Sequence, residues 1–260
     1  VHVFGLIRRA WSPCVICLGI SQTALADEPR DFNADTPGKS YTPYTVAEGY
    51  FQLESDLVHV TSGAGTVTVQ SLDPVFKYGL TDDVEIDLQT GGLVSVSDEA
   101  GSRIGYGDTV PALKWNVVGN NWQIFTAAVR FGVKLPTAAR GIGNGAIEFA
   151  VTVPMQVALP LGLSLQVQQE VDILKNQSDA GKHFDYQEDV SLSRSFGNTT
   201  LSVEIFAESA TDPNSHALYT ADIGVGYAVT PTTVISFGTY VGLNKFAPLI
   251  EGYTGFGFRF

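Results

Sequence analysis

The sequence predicts an all-β protein: a transmembrane antiparallel up-and-down β-barrel of about twelve strands, of the Gram-negative outer-membrane type. Three observations predict it. First, apolar residues recur at every second position in short runs over most of the chain, the period of a strand with one greasy face. Second, mean hydropathy is positive at +0.11, yet no run beyond the N-terminal region approaches the roughly 20 apolar residues of a spanning helix. Third, the chain ends on a strand with two unlike faces. Ile250, Gly252, Thr254, Phe256, Phe258 and Phe260 share one side, and Glu251, Tyr253, Gly255, Gly257 and Arg259 share the other. In a soluble sheet such an edge would be sticky and unpaired. In a closed membrane barrel the aromatic face meets lipid and the backbone pairs with the first strand.

The N-terminal region has the form of an export signal. Arg8 and Arg9 precede a mostly apolar stretch from Ala10 to Ile20, and Ala24-Leu25-Ala26 is a small-x-small cleavage site, so residues 1–26 are expected to leave as a signal peptide. A membrane anchor is disfavoured by the shortness of the run and by Pro13. Both cysteines, Cys14 and Cys17, lie in this region and would leave with it, so neither a redox nor a metal site is expected from the pair. Cleavage removes two of 15 basic residues and none of 27 acidic ones, which takes the net charge from −12 to about −14. Nucleic acid is excluded as a partner.

Residues 27–43 are polar, with Pro29, Pro37, Gly38 and Pro43, and read as a flexible periplasmic lead-in. The barrel is expected over 44–260, with turn signals cutting it into segments long enough to cross a bilayer at a tilt. The first, 44–60, sets Phe51, Leu53 and Leu57 against Gln52, Glu54 and Asp56. The second, 66–78, points Leu72, Phe76 and Tyr78 outward and needs a bulge to excuse Pro74. The third, 83–92, alternates Val84, Ile86 and Leu88 with Asp83, Glu85 and Asp87.

The fourth to seventh, 106–118, 122–135, 146–158 and 162–174, oppose rows such as Leu113, Trp115 and Val117 to Lys114 and Asn116. The eighth, 184–196, is the least regular because Arg194 shares parity with Val190 and Leu192. The ninth to twelfth, 199–209, 218–229, 233–243 and 250–260, restore the alternation. Tight turns at 79–82, 119–121, 159–161, 197–198 and 230–232 alternate with longer polar links at 91–105, 136–145, 175–183 and 210–217, the asymmetry of outer-membrane barrels.

Several phrases carry a family resemblance: FKYGLTDDVEI at 76–86, LKWNVVGN at 113–120, VKLPTA at 133–138 with GIGNGA at 141–146 after it, and the closing GFGFRF. The chain from about its first strand onward resembles the bacterial family of outer-membrane transporters assigned to the phenol meta-degradation pathway. The resemblance implies a barrel and passage of aromatic compounds, and it carries over no catalytic residue. Tyr253, Gly255, Phe258 and Phe260 resemble the C-terminal assembly signal read by the barrel-assembly machinery.

With the polar parity inward, Lys114, Arg130 and Lys134 stand on neighbouring strands and Glu148, Glu170, Asp172, Glu204, Glu208 and Asp222 on later ones. Arg130 and Glu148 are expected to pair. One reading of these charges is a pore with a transverse field; the other is a closed interior cross-linked by them. Gly224, Gly226, Gly238, Gly242, Gly255 and Gly257 cluster on the last strands, either opening the lumen there or easing curvature.

The competing class is a membrane-embedded lipid hydrolase using His59, His183 or His216, all expected at strand ends and none in a nucleophile motif. No catalytic, cofactor or metal set is expected, Asp98 and Glu99 lacking calcium-loop spacing. The expected protein is a monomer in the outer membrane. Its expected partners are lipid, the assembly machinery and a small solute taken up passively.

Overall fold

A computed structural model of the chain describes residues 30–260 except Trp122, Gln177, Asp179 and Ala180; the expected signal peptide lies outside the described residues. Fourteen strands run in order: β1 (Phe51–Gly63), β2 (Thr66–Thr81), β3 (Val84–Gln89), β4 (Leu93–Asp98), β5 (Gly101–Tyr106), β6 (Val110–Val118), β7 (Phe125–Lys134), β8 (Glu148–Leu159), β9 (Leu163–Lys175), β10 (Lys182–Phe196), β11 (Thr199–Ala210), β12 (Leu218–Thr230), β13 (Thr233–Gly242) and β14 (Ile250–Arg259). All pairings between them are antiparallel. β6 to β14 pair in sequence, β3 joins β6 to β2, and β1 pairs with both β2 and β14, so twelve strands close a barrel, with β4 and β5 added to its rim beside β2. Closure gives each of the twelve wall strands a partner on both sides, as a bilayer demands, and leaves a free strand edge at β5 on the rim.

The seam is bonded to its last residue. Phe51 and Phe260 exchange both backbone hydrogen bonds, at 3.1 and 2.9 Å, and their rings stack with centroids 5.9 Å apart. Phe258 and Phe260 are exposed, whereas Glu251, Tyr253, Gly255, Gly257 and Arg259 point inward and are buried. The polarity of an ordinary soluble protein is inverted throughout. Trp115, Phe131, Val203, Ile223 and Phe237 are each more than half exposed, while Glu85, Thr126, Thr152 and Ser236 have no exposed surface. Such an exterior is stable against hydrocarbon and would aggregate in water. Among the described residues no helix is long and apolar enough to cross a membrane; strands make the crossing.

Two expected boundaries are corrected. Strand one starts at Phe51, not at residue 44, because residues 30–49 lie within the barrel and not in its wall. The link 91–105 was expected to be a loop and is instead a hairpin, β4 with β5, extending the wall. It attaches where β2 changes partner: Val75 faces Gln89 of β3 and Ser71 faces Leu93 of β4, and across the intervening three residues on each side the ladder breaks, with Thr90 N–H donating to the Pro74 carbonyl at 3.1 Å. Pro74 lies in that gap, which is how a central strand tolerates it. Leu72 there adopts φ +51°, with Gly91 and Gly92 also at positive φ opposite it. The wall kinks at this level.

Candidate functional site

Residues 30–49 form a hairpin-shaped plug inside the barrel, where a flexible periplasmic lead-in was expected over residues 27–43. Pro43, Tyr44, Thr45, Val46 and Ala47 are buried. The plug enters from the end with the short turns. At its mouth the Arg30 guanidinium donates to the carbonyls of Asp82 (2.7 Å) and Thr45 (3.3 Å), tying the outgoing limb to the returning one. Apart from a bridge of Glu48 and Gly49 to Gly79 at the base of the returning limb, the limbs find their partners in wall side chains, since buried backbone groups must be satisfied. The Val46 amide donates to Glu85 (2.6 Å), Thr45 to Asn120 (3.2 Å), Tyr41 to Gln168 (2.7 Å) and Lys39 to Glu204 (3.0 Å), while the Pro43 carbonyl accepts from Asn116 (2.8 Å).

Three of the inward glycines, Gly224, Gly226 and Gly257, make room for the plug, whereas Gly238 lies against Tyr253, Gly242 against Ala247 and Pro248, and Gly255 against Ser55 and Asp56 of the wall. A side chain on Gly224 would meet Pro37 at 2.8 Å, and one on Gly257 would meet Phe32 at 3.0 Å and Ala34 at 3.2 Å. Gly238 faces Tyr253 across β13 and β14 and lies beneath its ring. The Tyr253 hydroxyl in turn accepts from the Gly38 amide at the plug tip, at 3.0 Å. Gly238→Ala is therefore expected to push the ring off its seat and destabilise the barrel by about 1–3 kcal/mol. Urea unfolding in micelles, monitored by tryptophan fluorescence, checks it.

The expected pore residues all reach the interior, but in a different pattern of pairs. Arg130 does not meet Glu148. It faces Thr152, and its Nε lies 3.1 Å from Asp87 while its guanidinium covers the Tyr41 ring at 4.3 Å. Glu148 faces Lys134, four residues further along β7, and pairs with it at 2.6 Å; Lys134 also reaches Asp108 at 3.1 Å. Lys114 holds Glu85 at 2.6 Å. Lys77, absent from the expected set, joins Glu54 at 2.5 Å and the plug's Asp35. Burial pushes the Asp35 carboxyl up, and the Lys77 and Lys114 ammoniums more than offset this, leaving it below its ordinary value.

The acidic residues sit on the opposite side. Glu170 accepts from Thr152 (2.5 Å), Asp172 from Gln187 (2.9 Å), and Glu204 caps the Lys39 amide. Glu208 lines a cavity beside Lys39, and Asp222 stands opposite Glu204.

Of the candidate histidines, His59 is not at a strand end and faces the lumen, while His183 stands at the loop end of β10 on the parity of the buried Asp185. The register of β1 against β14 skips Leu57, and this bulge reverses the parity of the residues beyond it. His59 thereby contacts Asp56 (3.3 Å) and Glu251 (3.1 Å), one with each ring nitrogen. His183 bonds Asn176, and His216 stacks on Phe246. Asp98 accepts from Arg103 at the tip of the β4–β5 hairpin (2.7 Å), and among the described residues no group of acidic, His or Cys side chains is placed to hold a metal ion.

The plug divides the lumen. Towards the loop end lie cavities of about 320 Å³, lined by Lys39, His59, Asp56 and Tyr240, and about 370 Å³, lined by Tyr41, Glu170, Gln187 and Glu208. Towards the turn end lies one of about 410 Å³, lined by Pro37, Gln166, Ser191, Ser195 and Gly226. Residues 36–41 separate them.

A family model described as "Putative MetA-pathway of phenol degradation" matches residues 34–260, so the match includes the plug. Among solved structures, the chain is similar to an outer membrane channel from Pseudomonas putida F1, with a TM-score of 0.64, 13% identity, and coverage of 90% of this chain and 100% of that one. It is also similar to the NanC porin, with a TM-score of 0.54, 10% identity, and coverage of 80% and 97%. No curated protein sequence matches significantly. These likenesses show the fold, that of outer-membrane barrels.

Proposed function

The chain belongs to this phenol-degradation family over residues 34–260, and from that premise we propose that it is an outer-membrane channel for passive uptake of small, aromatic or hydrophobic molecules into the periplasm. The observation that carries the reading is the polar lumen itself: cavities on both sides of a plug held by side-chain contacts, inside a closed wall. A barrel that served only as a scaffold has no need of either. The short turns mark the periplasmic end, and the plug enters from there. The similar structures from Pseudomonas putida and of the NanC porin are described as a channel and a porin, which supports the same class. Swelling of liposomes holding the purified protein tests it: swelling is expected with phenols, and equal rates with phenols, fatty acids and sugars would remove the aromatic preference.

The reading is of a protein that is not an enzyme. Both ring nitrogens of His59 face carboxylates, which leaves neither free to take a proton from a serine. The same proposal makes the nine inward charges from Lys114 to Asp222 the lining of the path, and places the protein as a monomer, exported by a cleaved signal over residues 1–26. Tyr253, Gly255, Phe258 and Phe260 then serve as the assembly signal. Deleting Phe260 removes the two backbone bonds to Phe51 and the exposed terminal ring. Folded protein in the outer membrane is expected to fall several-fold, while refolding into detergent is largely kept; equal loss in both would reduce the residue to a seam contact.

A further inference from the structure

The charges inside the barrel are unevenly matched. On the β1–β8 side each cation has an acidic partner: Lys77 with Glu54 and Asp35, Lys114 with Glu85, Arg130 with Asp87, Lys134 with Glu148 and Asp108. On the β9–β12 side stand Glu170, Asp172, Asp185, Asp189, Glu204, Glu208 and Asp222, and among the described residues none of these seven forms an ion pair. Two cross-strand pairs set carboxylate directly opposite carboxylate, Asp172 with Asp185 and Glu204 with Asp222. Like charges so placed repel unless a counter-charge joins them. Asp189 and Asp222 are 1% and 6% exposed, Asp189 lies against the Glu204 carboxyl, and among the described residues no Lys or Arg pairs with either.

The structure also shows how a cation is held there. The Lys39 ammonium at the plug tip lies 3.0 Å from Glu251 and over the rings of Phe206 and Tyr240, at 4.7 and 4.5 Å. A carboxylate with two aromatic faces is the chemistry of an ammonium site, and here a tethered side chain fills it. Among the described residues no group of acidic, His or Cys side chains is gathered to chelate a metal; the seven carboxyls are instead spread along four neighbouring strands.

We propose that the β9–β12 wall is a cation-conducting surface, which makes the channel selective for small inorganic and organic cations over anions. The inference rests on the channel reading and narrows it: neutral phenols and ammonium-bearing aromatics pass, and aromatic carboxylates are turned away. The paired cations opposite supply no compensating attraction for anions.

The test is the reversal potential of the full mature protein in a planar bilayer under a potassium chloride gradient. At low salt, potassium is expected to pass about ten-fold more readily than chloride, and the preference is expected to shrink at about 1 M salt as screening shortens. A variant carrying Asp189→Asn, Glu204→Gln and Asp222→Asn is expected to lose most of the preference while conducting. A reversal potential near zero or of anionic sign in the unaltered protein would overturn the inference and leave the channel standing. The same holds for a preference insensitive to salt, a readout that needs no variant to fold. Absence of current both in the unaltered protein and after removal of the plug would overturn the channel reading and this inference with it.

Discussion

Deleting residues 34–46 is expected to raise single-channel conductance several-fold over that of the intact protein in a planar bilayer. The deletion removes the segment that separates the cavities of the loop end from the one at the turn end. Nothing in the wall depends on it for backbone pairing, because the β1–β14 seam runs from Gln52 to Ser62, with Phe51 bonded to Phe260 beyond it. The wall groups it leaves behind, among them Glu85, Asn116, Gln168 and Glu204, gain water in place of plug amides. Unchanged conductance would mean that solutes already pass beside the plug.

The position of the segment is open to a separate check. A cysteine at Gly257 would place its Cβ 3.2 Å from that of residue 34, close enough for a disulfide after a small shift. A protein with Ala34→Cys and Gly257→Cys is therefore expected to cross-link on oxidation, and failure to do so would put the segment outside the lumen.

The wall was legible in the sequence because alternation reports directly on which face is greasy. Each strand from β6 to β14 lies within a few residues of its expected place, and the polar parity of Lys114, Arg130 and Glu204 is the buried one. What alternation cannot report is a segment without it. The plug has no period: its partners, Asn120, Glu85, Gln168 and Glu204, lie 75, 39, 127 and 165 residues away and converge only once the barrel closes. Composition therefore reads it as unstructured.

Bulges are the second limit. One skipped residue at Leu57 carries His59 into the lumen, against the parity of Phe51 and Leu53. The Arg130 to Glu148 pairing failed for a different reason: β7 and β8 run in unbroken register from Phe125 opposite Val157 to Lys134 opposite Glu148, which sets Arg130 opposite Thr152, four residues from Glu148. The inward glycines were visible as a cluster. Their purpose appears only beside Phe32, Ala34, Pro37 and Tyr253.

Lys114→Met is expected to destabilise the barrel by about 3–5 kcal/mol, the usual cost of removing one member of a buried ion pair. Lys114 and Glu85 are 1% and 0% exposed, with Nζ 2.6 Å from Oε1. Glu85 also accepts the Val46 amide, so the same carboxylate joins wall to plug. Without the ammonium its charge is left in a site screened from water by the plug, and two responses are open to it: it takes up a proton, or the plug lifts to let water in. Both weaken the closed state.

The substitution should therefore lower the urea midpoint in micelles and raise conductance together. Adding Glu85→Gln removes the stranded charge while keeping an acceptor for Val46. The double variant is expected to recover most of the lost stability and to return conductance towards that of the unaltered protein. Recovery of stability without recovery of conductance would separate the ion pair from the hold on the plug. The plug would then be held by its backbone bonds to Asn120, Gln168 and Glu204.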